Sequence, residues 1–223
     1  MTLRSLAAAT TTAMLSIGGV IITAAIAQAP AANMSFFVTS SNPKGGNLGG
    51  LAGGDALCQS LAKDAGAGGK TWHAYLSTST VDAKTRIGKG PWYNFKGDLI
   101  AQNVTDLLTP DKNKISAKTA LTEKGTTPNY LAVGADGKAA PVAQPLQHDI
   151  LTGTKDDGTK DENTCKDWTV GDASAKAMLG HADRLGRNEG LNSWTAIHPS
   201  QGCGLAELAP TGGAGLLYCF ATN

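Results

Sequence analysis

Four cysteines constrain the fold of this chain more than any other residues: Cys58, Cys165, Cys203 and Cys219. They are widely spaced and no two form a C-x-x-C pair, so a zinc knuckle is not indicated. In an exported protein an even number of cysteines predicts disulfides, here two. Four cysteines allow three pairings, and the spacing alone does not choose among them. The sequence therefore predicts a covalently cross-linked domain, provided that the chain is exported.

The N-terminal segment predicts export. A short basic start ends at Arg4, and residues 6–26 carry no charge. Ala25 and Ala27 place small side chains at the two positions that a signal peptidase reads, so cleavage is predicted between Ala27 and Gln28. The alternative is an uncleaved anchor helix, because the stretch is long enough to span a bilayer, although Gly18-Gly19 interrupts it. We expect a signal peptide at residues 1–27, no membrane span after its removal, and a secreted or periplasmic protein, which N-terminal sequencing would test.

The charge balance argues against polyanionic partners. The full chain has 19 Lys and Arg residues against 18 Asp and Glu residues, and loss of Arg4 with the signal peptide leaves the two numbers equal. A protein that binds nucleic acid or heparin needs a basic face, which a neutral chain does not favour. With 41% hydrophobic and only 17% charged residues, the mature chain should fold.

The pattern of apolar residues predicts one α+β domain with few helices over residues 35–223. A helical stripe with Cys58 on its buried side begins at Gly53 or Gly54 and ends at Gly66. Strands are predicted at residues 35–39, 72–77 and 215–221, the last of them apolar on both faces. Residues 109–147 lack periodicity, which is typical of a long functional or mobile loop. The Ala- and Pro-rich residues 28–34 are expected to be a flexible N-terminal segment.

The order of these features resembles the C-type lectin-like fold. Cys58 lies on the first helix, a strand begins at Trp72, Trp194 precedes Cys203, and the chain ends in Tyr218-Cys219-Phe220. Other motifs are similar to the endostatin branch of that fold and to exported bacterial lectin-like proteins of uncharacterised function: Gly90-Pro91-Trp92-Tyr93, Asn163-Thr164-Cys165-Lys166-Asp167-Trp168 and Gly180-His181-Ala182-Asp183-Arg184. The resemblance covers nearly all of residues 35–223. It predicts the fold more specifically than the ligand, because this fold hosts many functions.

The resemblance implies a pairing that the cysteine count leaves open. It pairs Cys58 with Cys219, which ties the first helix to the last strand. It pairs Cys165 with Cys203 beside the loop region.

The resemblance also fails at the positions that normally hold calcium. Calcium-dependent sugar sites of this fold use Glu-Pro-Asn or Gln-Pro-Asp in the long loop and Trp-Asn-Asp on the following strand, where side-chain oxygens hold the metal. This chain has Gln144-Pro145-Leu146 and Trp194-Thr195-Ala196 instead. Since Leu146 and Ala196 have no side-chain oxygen, we expect sugar binding without the usual bridging calcium ion.

An acidic stretch offers a different metal site. It places four carboxylates within seven residues: Asp156, Asp157, Asp161 and Glu162. A structural calcium ion is one interpretation and the only cofactor that the sequence suggests. The other, which the interrupting Lys160 favours, is a solvated polar loop.

The densest polar group outside that stretch is His181, Asp183 and Arg184. His181 and Asp183 have the chemistry of acid–base partners, or of metal ligands together with His198. The alternative is a turn ordered by Asp183 and Arg184, with His181 hydrogen-bonded to the backbone. No metalloprotease motif, nucleophile elbow or phosphate loop is present, so no catalytic residue is assigned.

Two aromatic residues complete the set of ligand-binding candidates. Trp92 and Tyr93 follow Gly90-Pro91, where an exposed aromatic turn would stack on a sugar ring. Taken together, the residues favour an exported module that binds a glycan or an extracellular protein surface. The alternatives are an exported hydrolase that uses His181 and Asp183, and a purely structural module of the envelope or matrix.

Overall fold

The computed structural model describes residues 28–133, 139–140, 144–185 and 193–222, so the predicted signal peptide lies outside it. Within these ranges the chain forms an α+β domain of short elements. Its helices are α1 (Gly50–Asp64), α2 (Val104–Leu108), α3 (Cys165–Trp168) and α4 (Leu205–Leu208), with 3₁₀ turns at Ala83–Thr85 and Ala209–Thr211. Its strands are β1 (Phe36–Val38), β2 (Trp72–Ala74), β3 (Trp92–Tyr93), β4 (Leu99–Ala101), β5 (Ala132–Val133), β6 (Ala139–Ala140), β7 (Asp149–Leu151), β8 (Met178–His181), β9 (His198–Pro199) and β10 (Gly213–Ala221). None of the helices in the described ranges has the length and apolar character needed to cross a membrane.

Strand β10 organises the main sheet. Its C-terminal half pairs antiparallel with β1 along one edge and with β2 along the other, so that Phe220 lies opposite both Phe36 and His73. Its N-terminal half runs parallel to β7, with Leu217 opposite Leu151. Strands β8 and β9 continue the sheet antiparallel, which gives the order β1-β10-β7-β8-β9. The apolar run predicted as a doubly buried strand is therefore the centre of the sheet.

Alternation along β1 divides the core between the two faces of this sheet. Phe37 lies on the face covered by α1, and its ring is tilted against Trp72 at 4.9 Å. Phe36 points to the opposite face, where its ring lies 4.9 Å from that of Phe220. Because apolar clusters cover both faces, β1 and β10 lack the polar alternation of a half-exposed strand.

The predicted helix around Cys58 is confirmed, with an earlier start. Helix α1 begins at Gly50 instead of Gly53 or Gly54. It buries Gly54, Cys58 and Ala62, which are spaced four apart on one side. It ends just before Gly66, whose positive φ of 86° reverses the chain as the sequence indicated.

Both disulfides have the pairing that the resemblance implied. Cys58 of α1 is bonded to Cys219 of β10, and the Cα atoms are 5.6 Å apart. Cys165 is bonded to Cys203, with Cα atoms 5.8 Å apart. The first bridge closes 161 residues between the first helix and the last strand, and the second closes 38 residues near the loops.

The segment named α3 is a left-handed turn. All four residues from Cys165 to Trp168 have positive φ values, between 50° and 66°. L-residues pay about 1–2 kcal/mol each for this conformation, so neighbouring contacts must hold it. Asp167 accepts hydrogen bonds from the backbone N–H and hydroxyl of Ser79, both at 2.7 Å. The indole N–H of Trp168 donates to the carbonyl of Ser77 at 2.7 Å.

One expectation about the N-terminal segment needs correction. Residues 28–34 were expected to be a flexible segment before the domain, yet Ala31 donates a backbone hydrogen bond to Phe95 and Met34 is fully buried. The apolar Met34 fills the core ahead of β1, so the packed domain begins before residue 35.

The long 109–147 segment, predicted as a functional or mobile loop, contains a packed residue. Tyr130 is buried and its hydroxyl donates to Ala120 at 2.7 Å.

Candidate functional site

Three adjacent strands bring polar side chains to one face of the sheet. Asp149 at the start of β7 lies directly opposite His181 at the end of β8. His198 of β9 lies opposite Leu179, two residues before His181 and therefore on the same face. His148 immediately precedes β7. We call these four residues, His148, Asp149, His181 and His198, the histidine cluster.

The imidazole rings converge on one carboxylate oxygen. The Nε2 atoms of His181, His148 and His198 lie 3.1, 3.3 and 3.8 Å from Oδ1 of Asp149. The Nε2 atoms of His181 and His198 are 3.4 Å apart. The rings of His148 and His181 stack with centroids 4.2 Å apart. Four atoms of the types that bind divalent metals thus surround one small space.

The outer ring nitrogens fix which nitrogen carries the proton. Nδ1 of His148 faces Oδ2 of Asp183 at 3.2 Å. Nδ1 of His181 faces the carbonyl of Leu185 at 2.7 Å, and Nδ1 of His198 faces the carbonyl of Pro199 at 3.2 Å. Since a carboxylate or carbonyl oxygen can only accept, each Nδ1 is the donor, and each Nε2 is directed toward Asp149.

Burial makes this arrangement costly without a further partner. The side chain of Asp149 is fully buried, and both of its carboxylate oxygens lack a hydrogen bond within the described structure. Buried carboxylates are normally paired and hydrogen-bonded, because desolvation otherwise opposes their charge. His148 and His181 are also buried, whereas 34% of the His198 side chain is exposed. Of the side chains in the cluster, that of His198 is therefore the most exposed to solvent.

The environment of His148 acts on its pKa in two directions. Burial lowers the pKa, because desolvation disfavours the imidazolium ion. The hydrogen bond with Asp183, the negative charges of Asp149 and Asp183, and a backbone hydrogen bond with Thr211 outweigh that effect, so the net result is a pKa above the usual value of 6.5.

Two glycines are required where the backbone approaches the site. A Cβ atom on Gly212 would lie 2.7 Å from Nε2 of His148, and Gly212 also has a positive φ of 105°. A Cβ atom on Gly180 would lie 1.8 Å from the carbonyl oxygen of Trp194. Glycine lets the turn before β10 approach His148 at Gly212, and it lets the backbone of Trp194 approach β8 at Gly180.

A cleft of about 420 Å³ lies among the loops. We call it the Trp194 cleft, and it is lined by Leu108, Pro110, Asp111, Asn113, Asp156, Arg184, Ser193, Trp194 and Thr195. Arg184 donates to the carbonyl of Pro110 at 2.8 Å and to Oδ1 of Asn113 at 3.2 Å. The hydroxyl of Ser193 donates to Asp156. The cleft therefore combines charged, amide and hydroxyl groups with apolar walls.

Several residues predicted from the sequence meet in these two places. His181 and His198 belong to the histidine cluster, and Asp183 orients His148 from outside it. Arg184 lines the Trp194 cleft instead. His181 also makes the backbone hydrogen bond of the alternative interpretation. His148 and Asp149 were missed, although two ionisable residues directly before the apolar pair Ile150-Leu151 are a signal that a strand end carries polar groups into the sheet.

The aromatic candidate Trp92 is corrected. Only 1% of Trp92 is exposed, its ring packs edge-on against Phe220, and its indole N–H donates to the carbonyl of Ala221 at 3.1 Å. Pairing of β3 with β4 turns this side chain into the core, so it offers no stacking surface. Its neighbour Tyr93 is half-buried.

The acidic residues do not converge. Asp157 accepts hydrogen bonds from Thr159, and Asp161 accepts them from Asn163, each two residues further along. Asp156 is engaged by Ser193, and Glu162 is exposed. Among the described residues, the one group of at least three ligand side chains with donor atoms within 4.8 Å of one another is His148, Asp149 and His181.

The chain was compared with known proteins. No model of a known protein family matches it. No curated protein matches it either.

Proposed function

We propose that this protein is an exported binding module with a C-type lectin-like fold, and that its Trp194 cleft binds a glycan. The observation that carries the proposal is the mixed lining of the cleft, which suits a ligand with many hydroxyl groups. The two disulfides support an oxidising compartment outside the cytoplasm. The volume lies within the range of about 300–1,000 Å³ that is common for small-ligand sites.

The lining of the Trp194 cleft supplies both the hydrogen-bond donors and the hydrogen-bond acceptors that a sugar needs. The carboxylates of Asp111 and Asp156 would accept hydrogen bonds from sugar hydroxyl groups, while Arg184 and the amide of Asn113 would donate them. Pro110 and Leu108 provide apolar surface for the C–H faces of a sugar ring. Trp194 contributes less stacking area than its size suggests, because only 4% of it is exposed and its N–H is used by Leu107.

Sugar binding in this cleft needs no bridging calcium ion. Thr195 and Ala196 replace the two oxygen ligands that normally follow the tryptophan, and the hydroxyl of Thr195 lies 3.1 Å from Ser193. Leu146 is buried and has no oxygen to offer. Direct hydrogen bonds to the lining residues would therefore provide the affinity.

A glycan array on the mature protein tests the proposal, with hits quantified by calorimetry. Asp111→Ala and Asn113→Ala should each weaken binding of a hit at least tenfold, because each removes a polar group from the cleft wall. Asp64→Ala is the matched control, since Asp64 is exposed at the end of α1, away from the cleft. An array without hits would refute the glycan ligand and favour the structural module of envelope or matrix.

A hydrolase is the second candidate, because His181 and His198 do come together with Asp149. The burial of Asp149 and His181 opposes it, since a substrate needs access to the acid–base pair and, within the cluster, the exposed side chain is that of His198. Assays with chromogenic glycosides, esters and peptides, each with added zinc, would identify an activity. Loss of that activity in His181→Gln, but not in Asp111→Ala, would show that the protein is a hydrolase and would refute the proposal of a binding module.

A further inference from the structure

We propose that the histidine cluster is a zinc site whose ligands are Nε2 of His148, His181 and His198 and Oδ1 of Asp149. The inference is independent of the Trp194 cleft and of what the cleft binds. It rests on the spacing of the four atoms, on the direction of the ring protons and on the burial of a carboxylate without hydrogen bonds.

Three of the separations among these atoms are those of a tetrahedral centre. Zinc binds histidine nitrogen and carboxylate oxygen at about 2.0–2.1 Å, so ligand atoms at the corners of a tetrahedron lie about 3.3 Å apart. The separations are 3.1 Å and 3.3 Å from Asp149 Oδ1 to His181 and His148, and 3.4 Å between His181 and His198. His198 lies 3.8 Å from Asp149 and outside the group of donor atoms that are all within 4.8 Å of one another, so its half-exposed side chain must rotate toward His148 to complete the set.

The ring protons all point away from the centre. Each Nδ1 faces an oxygen acceptor, on Asp183, Leu185 or Pro199. Histidines that bind metals in proteins almost always donate their other ring N–H to a carboxylate or a backbone carbonyl. With Nδ1 as the donor, the three Nε2 atoms lie close to the carboxylate of Asp149, an arrangement that a cation between them would stabilise.

A single divalent ion between these atoms would neutralise the carboxylate of Asp149, which is fully buried and lacks a hydrogen bond within the described structure.

The donor set selects zinc among common metals. Calcium and magnesium prefer oxygen ligands, and this site presents three nitrogens. Copper(II) prefers a square arrangement, in which neighbouring ligands at a bond length of about 2 Å lie about 2.8 Å apart. The separations of 3.1, 3.3 and 3.4 Å are larger and fit the tetrahedral preference of zinc.

All four ligands come from the protein, so the site is structural. The metal would tie together the start of β7, the end of β8 and β9. His181 and His198 also bracket Arg184 and Trp194, which line the cleft. Zinc would therefore hold β8 and β9 together close to Arg184 and Trp194 of the Trp194 cleft.

Metal analysis of the mature protein tests the site. The protein is stripped with a chelator, dialysed against zinc and then freed of excess metal, and its zinc is counted by mass spectrometry. Affinity is measured by competition with a chromophoric zinc chelator. The wild type should hold about one zinc ion per chain. His198→Gln should weaken zinc binding at least a hundredfold, since loss of even an outer-shell partner typically costs 10–100-fold.

The fourth histidine of the mature chain provides the matched control. His73 lies on β2, and its Nδ1 contacts the carbonyl of Arg86 at 2.7 Å, away from the cluster. His73→Gln should bind zinc as the wild type does. Asp149→Asn is a second ligand variant, and disulfide mapping with far-ultraviolet circular dichroism checks that each variant is folded.

Cobalt(II) gives a readout that does not depend on the variants. Cobalt in place of zinc should show the intense visible absorption of four-coordinate nitrogen and oxygen ligands, and zinc should displace it. A wild-type protein that retains no zinc, an equal loss in His73→Gln, or the weak absorption of six-coordinate cobalt would each overturn the proposal.

Discussion

The Nε2 atoms of His181 and His198 lie 3.4 Å apart, although 17 positions separate the two residues in the chain. Pairing of β8 with β9 produces this proximity. Just before β9, the backbone of Trp194 lies close to Gly180 of β8. The same few residues therefore carry the histidine cluster on one side and part of the Trp194 cleft on the other. Contacts made at the cluster should influence the stability of this whole region.

Zinc should raise the melting temperature of the stripped protein. A ligand that binds only the folded state at one hundred times its Kd stabilises by about 2.7 kcal/mol, which for a domain of this size is roughly 5–10 °C. Differential scanning calorimetry with and without zinc measures the shift. His73→Gln should show the full shift and His198→Gln almost none, whereas an equal shift in both would point to zinc bound elsewhere.

Asp183→Asn should weaken zinc binding by about 10–100-fold, the usual cost of changing a residue that orients a metal-binding histidine. Oδ2 of Asp183 faces Nδ1 of His148 at 3.2 Å and also accepts from the backbone N–H of Leu131 at 2.9 Å. The amide keeps the shape but loses the charge that orients His148. The chelator competition assay measures the change, and Asp55→Asn, which alters a carboxylate paired with Arg86, is the control that should leave zinc binding unchanged.

The sequence predicted the parts of the fold that apolar spacing determines. Helix α1 follows from the stripe around Cys58, and β10 from an uninterrupted apolar run. The disulfide pairing came from resemblance, because spacing between cysteines does not encode which strands meet. The left-handed turn at Cys165–Trp168 had no signal, since it lacks the glycine that normally marks positive φ.

The candidate site was predicted in part for the same reason. His181, Asp183 and His198 stood out by residue type, but only the register between β7 and β8 places Asp149 opposite His181. Register depends on pairing between distant segments, which one sequence does not reveal. Trp92 was misjudged because a tryptophan beside a turn has the same sequence pattern whether its side chain points to solvent or to Phe220.

Removing the Cys58–Cys219 disulfide should destabilise the protein more than removing Cys165–Cys203. Loop-closure entropy gives upper values of about 5 and about 4 kcal/mol for loops of 161 and 38 residues. The paired Cys→Ala variants are compared by urea unfolding in the presence of zinc. The reverse order would show that the short bridge stabilises mainly by holding the left-handed turn that contains Cys165.

Lys166→Gly should leave stability unchanged or raise it by up to about 1 kcal/mol. The side chain of Lys166 is exposed, and its φ of 51° costs a non-glycine residue about 1–2 kcal/mol. Glycine avoids this cost, but its greater conformational freedom in the unfolded chain lowers stability by about 0.4–1 kcal/mol. Ala56→Gly, at an exposed right-handed position of α1, should instead cost about 1 kcal/mol. Chemical denaturation of both variants checks the contrast, and an equal loss in both would mean that residue 166 is not left-handed in solution.

Calcium should change neither the melting temperature nor glycan binding when zinc is held constant. The carboxylates of the acidic stretch accept hydrogen bonds from separate partners: Asp157 from Thr159, Asp161 from Asn163 and Asp156 from Ser193. A calcium ion needs about six to eight oxygens around one point, so these bonds would have to break and the side chains converge.

The measurement compares metal-stripped protein with zinc restored, with and without millimolar calcium. Zinc must be present in both samples, because a general chelator would also empty the histidine cluster beside the cleft. A calcium-dependent rise in melting temperature would restore the structural calcium site, whereas glycan binding that appears only with calcium would show that a metal bridges the sugar despite Leu146 and Ala196.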